Sequence, residues 1–268
     1  MSLMITGNTR LFGIVADPIT QVRTPQVLNA WFEAEGLDAV LVPMHVAEDG
    51  LAAVFDALRK MQNLGGFIAT VPHKTRALEL CDEVSAAARA IGAVNTVRRE
   101  ADGRLVGDMF DGRGFVEGLK AQGHDPAAKS VLLVGAGGAA AAIAFALAQA
   151  GVQRLSIANR TQAKAQAMAG RVSQGVPGVQ VDAAAPDPRG YDIVVNATSL
   201  GMKEGDALPL DTSLLSPSNL VAEIIMKPEM TALLQAAQER GCRIHLGRHM
   251  LDEQVRLMGR FMTGLAVE

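Results

Sequence analysis

A lysine and an aspartate stand where their neighbours can aim them. Lys74 follows Thr70-Val71-Pro72-His73, and the fixed backbone of a proline restricts how the chain reaches the lysine. Asp111 lies just after two short apolar runs and opens a helix-like stretch. An amine beside a carboxylate is an acid/base unit, because burial and neighbouring charge tune its proton affinity. Such a unit can give a proton to a ketone oxygen that gains negative charge when hydride arrives, and take it back in the reverse direction. A surface ion pair uses the same two residue types, so the pair gains meaning only from its surroundings.

The sharpest local signal is Val131-Leu132-Leu133-Val134-Gly135-Ala136-Gly137-Gly138-Ala139. An apolar run ends in glycines and a small-residue helical stretch follows. Gly135 permits a tight turn, Gly137 lets a pyrophosphate approach the backbone, and Gly138 with the alanines lets helix and strand pack closely. Alanine occupies position 140, where a third glycine would complete the dinucleotide fingerprint. A plain glycine-rich turn would show the same letters, so the next strand matters. It ends at Ala158-Asn159-Arg160-Thr161, about 20 residues on, where an adenosine ribose is read. No acid stands there to take a ribose 2′-OH. Asn159 can bond the ribose region, and Arg160, Thr161 and Lys164 can surround a 2′-phosphate. This favours NADP and leaves NAD open. Ordinary solvated charges at a helix start are the competing reading of Arg160 and Lys164. A third strand ends in Asn196-Ala197-Thr198-Ser199, small polar residues suited to a cofactor or to a capping turn.

The elements that must position these residues are legible as alternation. Apolar runs at 11–15, 39–42, 66–69, 131–134, 155–158, 193–195 and 220–225 read as buried strands. Between them lie helical patterns. One begins at a Thr24-Pro25 cap and places Val27, Trp31 and Ala34 at helical spacing. Another runs over 49–61 with Leu51, Val54, Phe55, Leu58 and Met61 on one face. Residues 96–99 and 104–107 flank Ala101-Asp102-Gly103 as a short hairpin, and a helix is expected over 111–122. The alternation predicts an α/β fold with mostly parallel sheets covered on both sides, divided near residue 113.

Composition excludes several classes. Of the 268 residues 49% are hydrophobic and 20% charged, with a net charge of −3, which gives no electrostatic reason for a nucleic-acid or anionic-membrane partner. Two cysteines, Cys81 and Cys242, show neither a disulfide framework nor metal spacing, and neutral buried thiols are expected. His45, His73, His124, His245 and His249 form no metal-ligand pattern, so no metal is expected. His73 is expected at the surface, and His245 and His249 flank Gly247 near the inferred nicotinamide side. No signal peptide or membrane helix is evident, and a cytoplasmic location follows by elimination.

Seven short segments stand in the order of one family. They are Thr70-Val71-Pro72-His73-Lys74, Gly92-Ala93-Val94-Asn95-Thr96, Gly107-Asp108 with Asp111-Gly112, Gly135-Ala136-Gly137-Gly138-Ala139, Asn159-Arg160-Thr161, Asn196-Ala197-Thr198-Ser199, and Met250-Leu251 with Gln254. In these the chain resembles the shikimate and quinate dehydrogenases over nearly its whole length. The resemblance implies a substrate-binding catalytic domain over 1–112, onto which 247–268 packs back, and a Rossmann-type nucleotide domain over 113–246. It makes Lys74 and Asp111 the catalytic pair, gives Asn95 and Gln254 contacts to substrate hydroxyls, and makes Thr70 another pocket residue. Gly247 and Met250 match positions lining the nicotinamide. The implied partner is a small polyhydroxy ring, with the protein a monomer or homodimer.

The departures from the family cluster at one end of the substrate. The family's serine-x-serine before a proline reads Val22-Arg23-Thr24-Pro25 here. Its asparagine two residues before Thr70 is Ile68, its Asn-Thr between Asp108 and Asp111 is Met109-Phe110, and its tyrosine before Lys227-Pro228 is Met226. A buried carboxylate without donors costs several kcal/mol, so the acid-reading end looks rebuilt while the hydroxyl-reading end looks intact. The expected substrate keeps a ring ketone or alcohol and differs at the acid end, or Arg23 becomes the carboxylate partner. Two other readings stay open: a catabolic NAD-dependent quinate type, and a dinucleotide-dependent binding protein that has lost turnover.

Overall fold

The structure, a computed structural model, describes residues 5–266. Two compact units divide the chain. The first runs to Phe110 and takes back the chain from Gln254, and the second is Asp111–Glu253.

The first unit is built on a six-stranded sheet of order β2-β1-β3-β5-β6-β4. Its strands are β1 (Arg10–Ala16), β2 (Ala39–His45), β3 (Leu64–Ala69), β4 (Glu83–Val84), β5 (Thr96–Arg99) and β6 (Leu105–Asp108). β1 pairs in parallel with β2 and β3, and every residue of β3 is buried, as expected of a parallel strand covered on both faces. The expected hairpin is present as the antiparallel pair β5–β6, which joins the sheet through β3. Helices α1 (Thr24–Ala34), α2 (Leu51–Lys60), α3 (Lys74–Leu80) and α4 (Ala86–Ile91) connect the strands.

In α1 the cap is Arg23 rather than Thr24, with no side-chain capping bond. The buried face is Leu28 and Phe32, one position on from the expected Val27 and Trp31, because Phe32 stacks on Phe12 of β1 at 5.0 Å between ring centroids. Tertiary packing thus chose between two neighbouring apolar stripes. In α2 the buried residues are Leu51, Phe55 and Leu58, on the expected face.

The second unit holds a parallel sheet of order β12-β11-β10-β7-β8-β9. Its strands are β7 (Ser130–Val134), β8 (Arg154–Ala158), β9 (Gln180–Ala183), β10 (Ile193–Asn196), β11 (Leu220–Glu223) and β12 (Arg243–His245). Its helices are α5 (Asp111–Ala121), α6 (Gly138–Gln149), α7 (Gln162–Gly175) and α8 (Ala232–Glu239), and α9 (Gly247–Thr263) begins here and ends in the first unit. The strand order reverses direction beside β7, the place where open α/β sheets bind ligands at their carboxyl ends. In α6 every residue from 140 to 148 is buried, which explains the alanine bias: small side chains let this helix be covered all round. β11 stops at Glu223 instead of Ile225, because the amides of Ile224 and Ile225 donate to the Glu223 carboxylate rather than to a ladder.

Candidate active site

In the first unit Asn95 is held where β3 and β6 end. Its amide donates to Asp108 O at 3.0 Å and its carbonyl accepts from Ala69 N at 2.9 Å, fixing it between two strand ends. Its side-chain oxygen accepts from Thr96 Oγ1 at 2.9 Å and from Phe110 N at 3.0 Å. One residue earlier, Val94 N donates to Lys74 O at 2.9 Å. The same short segment therefore holds the backbone of Lys74, the side chain of Asn95 and the residue preceding Asp111. Lys74 begins α3 and is half-buried, and Thr70, half-buried, is tied by its amide to Val15 O at 3.0 Å.

Two expectations are corrected. His73 is buried, 1% exposed, with Nε2 at 2.8 Å from Val46 O, so it anchors the turn before Lys74. Phe110, expected at the altered acid end, has no exposed surface. Its ring lies 5.3 Å from that of Phe261 in α9, so it seats the C-terminal helix in the first unit. Ile68 is buried in β3, paired with Ile14 and Thr96, while Val22 and Thr24 are half-buried and Arg23 is exposed. Gln254 is half-buried on α9.

Asp111, the first residue of α5, is buried in the second unit, and the next residue shows how α5 is held. Gly112 lies against the Ala142 carbonyl of α6 with no room for a Cβ, so the two helices cross in close contact there.

The second unit carries a cavity of about 540 Å³ at the carboxyl ends of β7, β8 and β10. It brings together Gly135, Ala136 and Gly137 of the glycine turn, Asn159, Arg160, Thr161 and Lys164 after β8, and Thr198 and Ser199 after β10. No carboxylate is among its lining residues. Gly135 adopts φ +126°, and a Cβ there would stand 2.6 Å from Ala197 O, so only glycine lets the turn approach the neighbouring loop this closely. Gly137 and Gly138 face open space, as backbone meant to receive phosphate should. Asn159 donates to Thr161 O at 3.0 Å, shaping the turn that presents Arg160. The pocket, with two cations and a hydroxyl in its lining beside the open glycine turn, fits a dinucleotide. Gly138, Ala139, Asn196, Gly247 and Met250 are not among the lining residues. Pro186, Leu200 and Pro209 line it without having been singled out, since apolar loop residues carry no chemical signal in sequence.

Asn196 is instead buried beneath the cavity wall, bonded to Glu223 and to Thr198. Met226 is exposed, and Gly247 is buried with no room for a Cβ against the carbonyl of Ile225. Met250 is buried. Burial pushes the Glu223 carboxyl above its ordinary value, opposed by the hydrogen bonds of Asn196, Ile224, Thr231 and Ile225. The Cys81 thiol is pushed up to about 12 by burial, and Cys242 is raised for the same reason, so neither is primed as a nucleophile. Among the described residues no group of three or more His, Cys, Asp or Glu side chains can hold a metal ion, and no helix is long and apolar enough to cross a membrane.

A parallel doubly wound unit with a phosphate-fitting glycine turn, continuous with an α/β unit carrying the expected lysine, is the architecture of a nicotinamide-dinucleotide oxidoreductase. Comparison with known proteins agrees. Residues 14–97 match the shikimate dehydrogenase substrate binding domain, and residues 119–202 match the shikimate / quinate 5-dehydrogenase family. A shikimate dehydrogenase (NADP(+)) of Rubrobacter xylanophilus is 42% identical, covering 97% of this chain and 93% of its own. Shikimate 5-dehydrogenase from Listeria monocytogenes, solved with shikimate and NAD, is 33% identical with a TM-score of 0.92, covering 100% of this chain and 96% of its own. The 5-ketofructose reductase of Gluconobacter sp. strain CHM43 is 33% identical with a TM-score of 0.90, covering 97% and 95%. The chain belongs to the shikimate/quinate dehydrogenase family.

Proposed function

We propose that the protein reversibly reduces a ring ketone on a small polyhydroxylated substrate, with NADP(H) preferred over NAD(H). The cavity carries the cofactor part of this reading: Arg160, Thr161 and Lys164 at its rim with no carboxylate in the lining. A 2′-phosphate meets charge-assisted donors there, whereas a 2′-OH finds no acidic acceptor. When bound, the nicotinamide supplies hydride to the carbonyl carbon or accepts it from the alcohol carbon. Lys74 as ammonium gives its proton to the carbonyl oxygen during reduction, and as amine removes the hydroxyl proton during oxidation. The second acid/base role falls to Asp111 on its match to the family's catalytic aspartate. Asn95, Thr70 and Gln254 hold ring hydroxyls, which orients the reacting carbon. The first unit serves as substrate domain and the second as nucleotide domain, acting in the cytoplasm.

The substrate differs from shikimate at its acid end. Val22, Ile68 and Met226 stand where this family offers hydroxyls or an amide, and Ile68 is buried within β3. The similarity to a reductase whose name specifies a keto sugar supports a substrate without a ring carboxylate. Steady-state assays test this with shikimate, quinate, their carboxamide and decarboxylated analogues, and cyclic keto sugars. We expect kcat/KM for at least one non-carboxylate substrate to exceed that for shikimate by about tenfold or more, as an unmatched carboxylate demands. Efficient turnover of shikimate at low concentration overturns the altered acid end. A preference for NADH overturns the cofactor assignment separately.

A further inference from the structure

We propose that Glu223 is a positioning residue for the dinucleotide: its carboxylate sets the orientation of Asn196, and through Asn196 the Thr198–Leu200 loop that walls the cavity. This rests on the dinucleotide reading of that cavity. Glu223 is completely buried at the end of β11 and is not itself a lining residue. Four donors meet it. Ile224 N and Ile225 N reach Oε1 at 3.0 and 3.3 Å, and Asn196 Nδ2 and Thr231 Oγ1 reach Oε2 at 3.0 and 3.1 Å.

The consequence lies in donor direction. The Asn196 NH₂ group donates to Glu223 and also to Leu200 O at 3.0 Å, so its oxygen must face the other way. There it accepts from Thr198 N at 3.1 Å and from Thr198 Oγ1 at 2.7 Å. With its proton committed to Asn196, Thr198 Oγ1 accepts from Leu200 N at 3.0 Å. Glu223, together with the Leu200 carbonyl and the Thr198 amide, therefore fixes the sense of the bonds out to the cavity wall. The same carboxylate holds Ile224 and Ile225, against which Gly247 packs at the start of α9. Removing the carboxylate would leave four donors unmatched, so it serves stability as well as orientation, and the two are separated by measuring binding.

Glu223→Gln preserves the shape but sets an NH₂ against the Asn196 NH₂ at Oε2, where only the Thr231 hydroxyl can turn to accept, or against two backbone amides at Oε1. Relief comes from flipping Asn196, which turns its own NH₂ toward the Thr198 amide and unsettles the loop. The test is a calorimetric NADPH titration of the full chain, with KM and kcat measured alongside. The parent is expected to bind NADPH. In E223Q we expect the dissociation constant and KM for NADPH to rise about tenfold, the scale of one charge-assisted hydrogen bond, while kcat at saturating NADPH changes little. In E223Q/N196D the donor and acceptor facing each other are exchanged: the amide introduced at position 223 donates to the carboxylate introduced at position 196, whose other oxygen still accepts from Thr198, while the Leu200 carbonyl loses its donor. We expect this pair to recover part of the lost affinity, which general loosening of the core would not allow.

A folded E223Q that binds NADPH within about twofold of the parent overturns the inference, as does a double variant no tighter than the single one. A parent that binds no NADPH overturns the dinucleotide reading and this inference with it. Where E223Q fails to fold, N196D alone decides. Two facing carboxylates share a proton at low pH and repel at high pH, so its NADPH affinity must fall with rising pH more steeply than the parent's, and parallel profiles overturn the inference.

Discussion

At the residue scale the functional reading turns on Lys74. Its backbone is held by Val94, its turn is anchored by buried His73, and the segment that follows Val94 also fixes Phe110, the neighbour of Asp111 in sequence. Replacing Lys74 with methionine keeps the length and removes the proton. Because a positioned acid/base group contributes about 10² to 10⁴ in rate, kcat should fall by that range in both directions while NADPH affinity stays unchanged. Stopped-flow hydride transfer and cofactor titration separate the two effects, and a K74M protein that retains full kcat removes Lys74 from the chemistry. The sequence named Lys74 because proline and an ordered set of motifs surround it. It could not place His73 or Phe110, because burial at those positions comes from Val46 and from Phe261, partners 27 and 151 positions away. Glu223 escaped notice for a related reason: a single acid after an apolar run looks like a strand end, and its four donors become visible only in three dimensions.

At the element scale the strands that were legible are those covered on both faces, such as β3, β7, β10 and β11, where continuous apolar runs leave no alternative. The edge strands β9 and β12 were not, since Gln180-Val181-Asp182-Ala183 and Arg243-Ile244-His245 carry the polar residues that an edge tolerates. β12 nevertheless delivers a buried imidazole. His245 is 1% exposed, edge-on to Phe115 of α5, with its ring 5.0 Å from that of His249 and 6.4 Å from that of His124. Neither of its ring nitrogens has a hydrogen-bond partner. Burial, then His249 and His124, lower its pKa from 6.5 to about 3. His124 and His249 are lowered too, by burial first and then by Arg243 and Arg248 respectively, with Asp252 and Glu229 opposing at His249.

The unfolded chain thus binds a proton at His245 through a range where the folded chain does not. Stability from this site is complete above pH 6.5 and is lost as pH falls toward 3, by about 1.4 kcal/mol per pH unit. His245→Phe keeps an aromatic ring against Phe115 and removes the proton site. Urea unfolding of the second unit should then show a shallower loss of stability between pH 6.5 and 4 than the parent. Equal slopes in the two proteins refute the assignment.

At the scale of the whole molecule the chain leaves its first unit after Phe110 and returns to it at Gln254, so the unit is incomplete until α9 has been made. The return is held by close contacts rather than by long apolar side chains alone. Met262 lies over Gly66 of β3, Phe261 meets Phe110 and the Arg98 guanidinium, and Gly259 admits the indole of Trp31. A Cβ on Gly259 would stand 2.5 Å from one ring carbon of Trp31 and 3.0 Å from Leu28 Cδ1. Alanine in a helix interior ordinarily gains about 1 kcal/mol over glycine, and overpacking a filled contact costs about 1 to 3 kcal/mol. The two effects oppose, and Leu28, fully buried and 3.0 Å from the added carbon, has little room to yield. Gly259→Ala should therefore lower the stability of the first unit. The chain has a single tryptophan, so the fluorescence of Trp31 during urea unfolding reports on this joint directly. Gly170, on α7 with open space around it, supplies the opposite sign: G170A should stabilise the second unit, read by the circular dichroism of its helices. A stabilising G259A would mean that the glycine is not there for the indole.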